Sequence, residues 1–151
     1  VNALYADWMG LAIAEAELTR GTGDVPVGAV VVDAAGTVLG AGRNRRELDA
    51  DPTAHAELVA IRAAAARLGS WRLDEATLVV TLEPCTMCAG AILQSRIPRV
   101  VFGAWDEKAG AAGSTYDLLR DRRLPHRVEV VPGIRAAEAA DLLATFFEER
   151  R

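Results

Sequence analysis

Apolar positions along this chain recur with two alternating periods. Leu4, Trp8, Leu11, Ala12 and Leu18 follow helical spacing, which predicts an amphipathic helix over residues 3–20. Gly21-Thr22-Gly23-Asp24 supplies its stop. The unbroken run Val27-Gly28-Ala29-Val30-Val31-Val32 predicts a buried strand. Asp33-Ala34-Ala35-Gly36 then reads as a hairpin turn into a second strand over residues 38–41. Residues 43–52 are polar and aperiodic, so they read as a loop. Asp51-Pro52-Thr53-Ala54 is expected to open a helix that runs to Leu68 and stops at Gly69. A strand over 77–82, a helix from Pro84 to Ser95 and a strand over 99–104 follow. Ser114-Thr115-Tyr116-Asp117 resembles a capping box and predicts a short helix. A fifth strand over 127–131 is closed by Pro132-Gly133. The last helix, over 136–151, carries Leu142, Leu143, Phe146 and Phe147 on or near its apolar face.

A hairpin followed by alternating helices and strands predicts an α/β fold: a mixed five-stranded sheet covered by helices on both faces, in three layers. No linker, internal repeat or low-complexity segment interrupts it, so residues 1–151 are expected to form a single domain. The hydrophobic fraction, 51%, is ample for a packed core. No apolar run reaches about 18 residues, so no membrane span is expected. The first eight residues lack a basic start and a long apolar stretch, so no signal peptide is expected and a cytoplasmic setting is. The net charge of −4 argues against a general nucleic-acid binder. Local basic patches remain available at Arg43, Arg45 and Arg46, at Arg96 and Arg99, and at Arg120, Arg122 and Arg123.

The chemistry concentrates in two short motifs. His55-Ala56-Glu57 is followed by Pro84-Cys85-Thr86-Met87-Cys88, which holds both cysteines of the chain. Imidazole and thiolate suit zinc, and three protein ligands with an open fourth position mark a catalytic rather than a structural site. The pattern matches the signature of zinc-dependent nucleobase deaminases, in which the carboxylate is not a ligand but moves protons. One zinc per chain is therefore expected, held by His55, Cys85 and Cys88, with Glu57 as the catalytic group. Cys85 and Cys88, three apart at a helix start, share a face and sit where thiolate is favoured. His55 and Glu57 point about 200° apart on a regular helix. They converge only if the site wraps the helix end.

Other readings stay open at this point. A Cys-x-x-Cys pair also serves redox chemistry. A structural zinc site would need a fourth ligand. The remaining histidine, His126, is expected to hydrogen-bond rather than bind metal, and Met87 is expected to pack in the core.

From about Trp8 to Phe147 the chain resembles the bacterial tRNA-specific adenosine deaminases. The matching stretches are residues 25–30, 51–57, 81–91, 95–97, 100–104, 110–114 and 126–129. The zinc motif is shared with cytidine, cytosine and guanine deaminases. Gly110-Ala111-Ala112-Gly113-Ser114 and Asp51-Pro52-Thr53 point more narrowly to the tRNA branch. The resemblance implies a cytidine-deaminase-like fold, a homodimer, and conversion of the wobble adenosine (position 34) in a tRNA anticodon stem-loop to inosine. It implies that Asn44 bonds the flipped nucleotide, that Val27, Ala56 and Pro84 wall the pocket, and that Asp106 and Lys108 lie on a loop touching the anticodon. Two rivals stand beside it: a small-molecule guanine or cytosine/cytidine deaminase, and a non-catalytic zinc-binding RNA module. Glu57 argues against the second, because a structural site has no need of it.

Overall fold

The computed structural model describes residues 2–150; Val1 and Arg151, the expected last residue of the final helix, lie outside them. One sheet contains β1 (Gly28–Val32), β2 (Val38–Arg43), β3 (Thr77–Leu82), β4 (Arg99–Ala104) and β5 (Glu129–Val131), in the spatial order β2-β1-β3-β4-β5. β1 is antiparallel to both β2 and β3, whereas β3, β4 and β5 run parallel. The tight hairpin dictates the antiparallel pairing of β1 with β2. The longer crossovers after β3 and β4 permit the parallel pairs.

Side chains alternate across the pleat and build two cores. Val30, Val32, Val79 and Val101 pack under α1 (Asn2–Glu17), with Leu142 of α4 (Ala136–Glu148) joining them. Val31, Leu78, Val80, Val100 and Phe102 pack on the opposite face under α2 (Ala56–Leu68) and α3 (Thr86–Gln94). α2 lies unusually close to β2. A Cβ added at Gly42 would stand 2.7 Å from the Ala56 carbonyl oxygen and from the Ala60 amide nitrogen. Small residues on both sides, Gly40 and Gly42 against Ala56, Ala60 and Ala64, make that approach possible. Because Ala56 is the first residue of α2, this contact fixes the helix start that follows His55.

Three expectations need correction. The buried stripe of α1 is Tyr5, Trp8, Met9, Ala12, Ile13 and Ala16, while Leu4, Leu11 and Leu18 are exposed. α1 is apolar almost all round, so spacing fits more than one stripe, and packing on the sheet chose between them. α2 begins at Ala56 rather than in the run 51–54. Asp51 instead caps a turn of its own, its Oδ1 accepting from both the N–H and the hydroxyl of Thr53 at 2.8 Å. The short helix at 114–117 does not form. There the Gly113 N–H donates to the Tyr116 carbonyl at 2.8 Å, and a bridge pairs Ala112 with Asp117. The Ser114 hydroxyl, needed as an acceptor in a capping box, donates to the Asp106 carbonyl at 2.8 Å instead. Smaller shifts follow at element ends: β2 continues to Arg43, β5 begins at Glu129, and α4 ends at Glu148 with Phe147 exposed.

Candidate metal and catalytic site

The site lies beyond the carboxyl end of β3, where the starts of α2 and α3 meet. Pro84 follows the end of that strand and biases Glu83 toward an extended backbone, away from helix. Cys85 is the extended residue that caps α3 (φ −78°, ψ 179°), and Cys88 lies in the first turn. His55 occupies the same position before α2 (φ −71°, ψ 152°), with Glu57 in its first turn. His55 is therefore not on the helix at all. Its extended backbone removes the 200° separation from Glu57, and the two face one centre by wrapping the helix end.

His55 Nδ1 stands 3.6 Å from Cys85 Sγ and 3.5 Å from Cys88 Sγ. The ligand atoms of all three residues lie within 4.8 Å of one another. Tetrahedral zinc with bonds of about 2.3 Å to sulfur and 2.0–2.1 Å to nitrogen would set nitrogen and sulfur about 3.6 Å apart. The donor set and its spacing fit zinc. Among the described residues no second cluster of this kind occurs, and no fourth protein ligand joins the three. His126 bonds elsewhere, its Nε2 lying 3.1 Å from the Ile97 carbonyl oxygen. Met87 is only half-buried.

Electrostatics separate the groups. The hydrogen bond from Cys88, reinforced by His55, holds the Cys85 thiol down at about 3, so it is thiolate at neutral pH. The same bond and burial push Cys88 up. Binding a metal at both sulfurs would therefore release a proton. The Cys85 bond raises His55. Glu57 is buried, and desolvation pushes its carboxyl up to about 7.

Beside these groups opens a pocket of about 240 Å³. Its lining includes Val27, Asn44, Ala56 and Asp106 as well as His55, Glu57 and Cys85. Asn44 is buried and braced: its Nδ2 donates to the Val25 carbonyl at 3.1 Å, and its Oδ1 accepts from the Arg46 N–H at 3.2 Å. Asp106 Oδ1 accepts from the Lys108 and Ala109 N–H groups, at 3.1 and 3.2 Å. Pro84 is buried behind Cys85, its carbonyl accepting from the Ala111 N–H at 2.8 Å. Lys108 is exposed and outside the lining. A separate hollow of about 290 Å³ between the end of α1 and α4 contains none of this chemistry.

Val25, Leu82, Glu83 and Ala109, which the sequence did not single out as site residues, also line the pocket, and so does Arg46, expected only as part of a basic patch. Two buried carboxylates shape the loops around it. Asp24 accepts from the Glu47 N–H at 2.6 Å and from the Leu48 N–H at 3.3 Å, holding the segment that carries Arg46. Glu83 does the same for residues 105–114. The one signal for Glu83 was a charge placed directly after an uncharged, buried strand.

Comparison with known proteins agrees with this geometry. Residues 4–104 match the cytidine and deoxycytidylate deaminase zinc-binding region. The chain is 49% identical to the tRNA-specific adenosine deaminase of Haemophilus influenzae, over 95% of this chain and 83% of that one. It is 46% identical to the enzyme of the same name from Bacillus subtilis, over 95% and 89%. A solved structure from a study of A-to-I editing by tRNA:A34 deaminases superposes with a TM-score of 0.86 at 42% identity, covering 91% of this chain and 99% of that one. A guanine deaminase structure from Bacillus subtilis reaches a TM-score of 0.64 at 38% identity, covering 72% and 69%. With a His-Cys-Cys cluster that fits zinc at two helix starts and a match that runs from α1 through β4, this chain belongs to the zinc-binding cytidine and deoxycytidylate deaminase family, and among its members it is similar to the tRNA-specific adenosine deaminases.

Proposed function

We propose that this chain hydrolyses the exocyclic amine of the wobble adenosine in a tRNA anticodon, leaving inosine and releasing ammonia. The observation that carries the reading is a buried carboxylate, Glu57, beside a His-Cys-Cys cluster without a fourth protein ligand. The choice of substrate follows the relatives named tRNA-specific adenosine deaminase, whose lengths this chain matches over 83–90%. A pocket of about 240 Å³ is smaller than the ~300–1,000 Å³ typical of drug-sized ligand sites. It suits a single base flipped out of a stem-loop.

His55, Cys85 and Cys88 would hold the zinc. When bound, the metal supplies the Lewis acidity that makes a water nucleophilic near neutral pH. Glu57 takes a proton from the water that attacks C6, delivers it to N1 of the adenine and then supplies a proton to the departing amine. Burial raises the Glu57 carboxyl, which favours the proton-carrying form that the second half of this duty needs. Val27 and Ala56 wall the base with apolar surface, and Pro84 supports them from behind Cys85. Asn44, held from both ends of its amide, offers its remaining hydrogen and lone pair to the nucleotide. Asp106 and Lys108 meet the flanking nucleotides of the anticodon loop.

The chain works as one deaminase domain, since no linker or repeat interrupts its elements, and two copies pair as a homodimer, which rests on the resemblance. A cytoplasmic setting fits a substrate that is tRNA and a cysteine pair used as metal ligands. No helix among the described residues is long and apolar enough to cross a membrane. The test is incubation with an anticodon stem-loop carrying adenosine at the wobble position, beside free adenosine, guanine and cytidine, with products read by mass spectrometry. Inosine in the stem-loop alone is expected. Faster turnover of free guanine or cytidine would replace this reading with that of a small-molecule deaminase.

A further inference from the structure

Three carboxylates stand at the pocket, and they are held in three different ways. Glu57 faces the ligand cluster. Asp106 sits half-buried on the rim. Glu83 is 2% exposed, and both its oxygens are occupied by the backbone of one loop. Oε1 accepts from the Asp106 N–H at 2.9 Å; Oε2 accepts from the Ala112 N–H at 2.9 Å and the Ser114 N–H at 3.1 Å. No arginine, lysine or histidine pairs with it among the described residues. A carboxylate buried without a counter-ion persists only where hydrogen-bond donors replace its hydration, and here the loop supplies all three.

Two further ties of this loop run to the same junction between β3 and α3. Ala111 donates to the Pro84 carbonyl, and Cys85 forms a bridge with Gly110. Gly110 has no room for a side chain, because a Cβ there would run into the Glu83 carboxylate and the Ser114 hydroxyl. The loop is thus packed directly onto Glu83. It carries Asp106 and Ala109, which form one wall of the pocket, and it has no helix or strand of its own to hold its shape.

We propose that Glu83 is a positioning residue for the substrate. It clamps residues 105–114 as a preformed wall and locks that wall to the junction that carries Cys85. It thereby sets the affinity for the nucleotide chain, while proton transfer stays with Glu57. The proposal builds on the tRNA deaminase reading above. Without the clamp the loop is ordered only when substrate arrives, and binding bears the entropy of ordering it.

Glu83→Gln keeps the shape but confronts at least one loop N–H with an amide NH₂. Gly110→Ala attacks the same contact from the loop side. Both zinc-loaded variants should show KM for the stem-loop raised about 10–100-fold, with kcat within about threefold of wild type and zinc still near one per chain. Their Asp106, Ala112 and Ser114 amides should exchange with solvent at least about tenfold faster, while amides of α2 exchange unchanged. A fall in kcat at unchanged KM, or unaltered exchange of the three loop amides, would overturn the proposal. If the wild-type protein leaves the stem-loop untouched, the substrate reading fails on its own account, and the exchange rates still decide the clamp.

Discussion

The metal side and the loop side of the pocket hold their residues in place by opposite means. On the metal side, His55, Glu57, Cys85 and Cys88 are placed by two helix starts, and those helices are placed by side-chain packing. On the loop side, Asp106 and Ala109 belong to a segment without regular structure, placed by one buried carboxylate and a few backbone hydrogen bonds. A helix start is rigid because the helix behind it is continuously hydrogen-bonded and packs along one face. A loop held at few points is as rigid as those points. The metal side is therefore expected to govern whether the reaction occurs, and the loop side which polymer is accepted.

The largest effect should come from the ligands. His55→Ala or Cys85→Ala should abolish both zinc binding and turnover and lower stability, because metal affinity is coupled to folding at such sites. Metal analysis of the purified variants checks this. A variant that keeps one zinc per chain would remove that residue from the ligand set.

Glu57→Ala comes next and divides the metal side into binding and chemistry. Zinc and fold should be retained while turnover falls by about 10²–10⁴-fold, the usual worth of a general acid–base group. A wild-type rate in the zinc-loaded variant would take Glu57 out of the mechanism.

Gly42→Ala asks how far the metal side depends on packing behind it. A Cβ at 2.7 Å from the Ala56 carbonyl and 2.8 Å from the Val59 Cβ must push α2 off β2. Overpacking of this kind typically costs about 1–3 kcal/mol. Urea denaturation should show that loss, and zinc affinity should fall with it, since the shift moves the helix start after His55. An unchanged midpoint would show that the helix–strand approach has slack.

The smallest effect belongs to the rim. The Asp106 carboxylate can accept a hydrogen bond from a ribose 2′-hydroxyl, which deoxyribose lacks. With DNA the charge is left facing phosphates without that bond. Asp106→Asn should narrow the RNA-to-DNA rate ratio by a few-fold, chiefly by raising activity on single-stranded DNA. Deamination of matched RNA and DNA hairpins by both proteins measures it, and an unchanged ratio would assign the RNA preference elsewhere.

The chain by itself determined the parts whose signal is local. Strand periodicity, the hairpin turn and the helix stops placed all five strands and four long helices within a few residues, because each depends on near neighbours. The candidate metal ligands were legible for the same reason: each motif is a short local spacing of imidazole or thiolate groups. Tertiary structure decided what depends on distant partners. Which apolar stripe of α1 is buried was settled by the sheet beneath it, with Trp8 and Met9 turned in and Leu4 and Leu11 out. That Asp51 caps a turn and leaves the cap of α2 to His55 was settled where α2 meets β2. Ser114 looked like a helix cap. A carboxylate 31 residues earlier, Glu83, takes its N–H and holds the chain in a turn. A hydrogen bond across that separation leaves no period or spacing in the sequence, so the loop wall existed only once the fold had brought its two halves together.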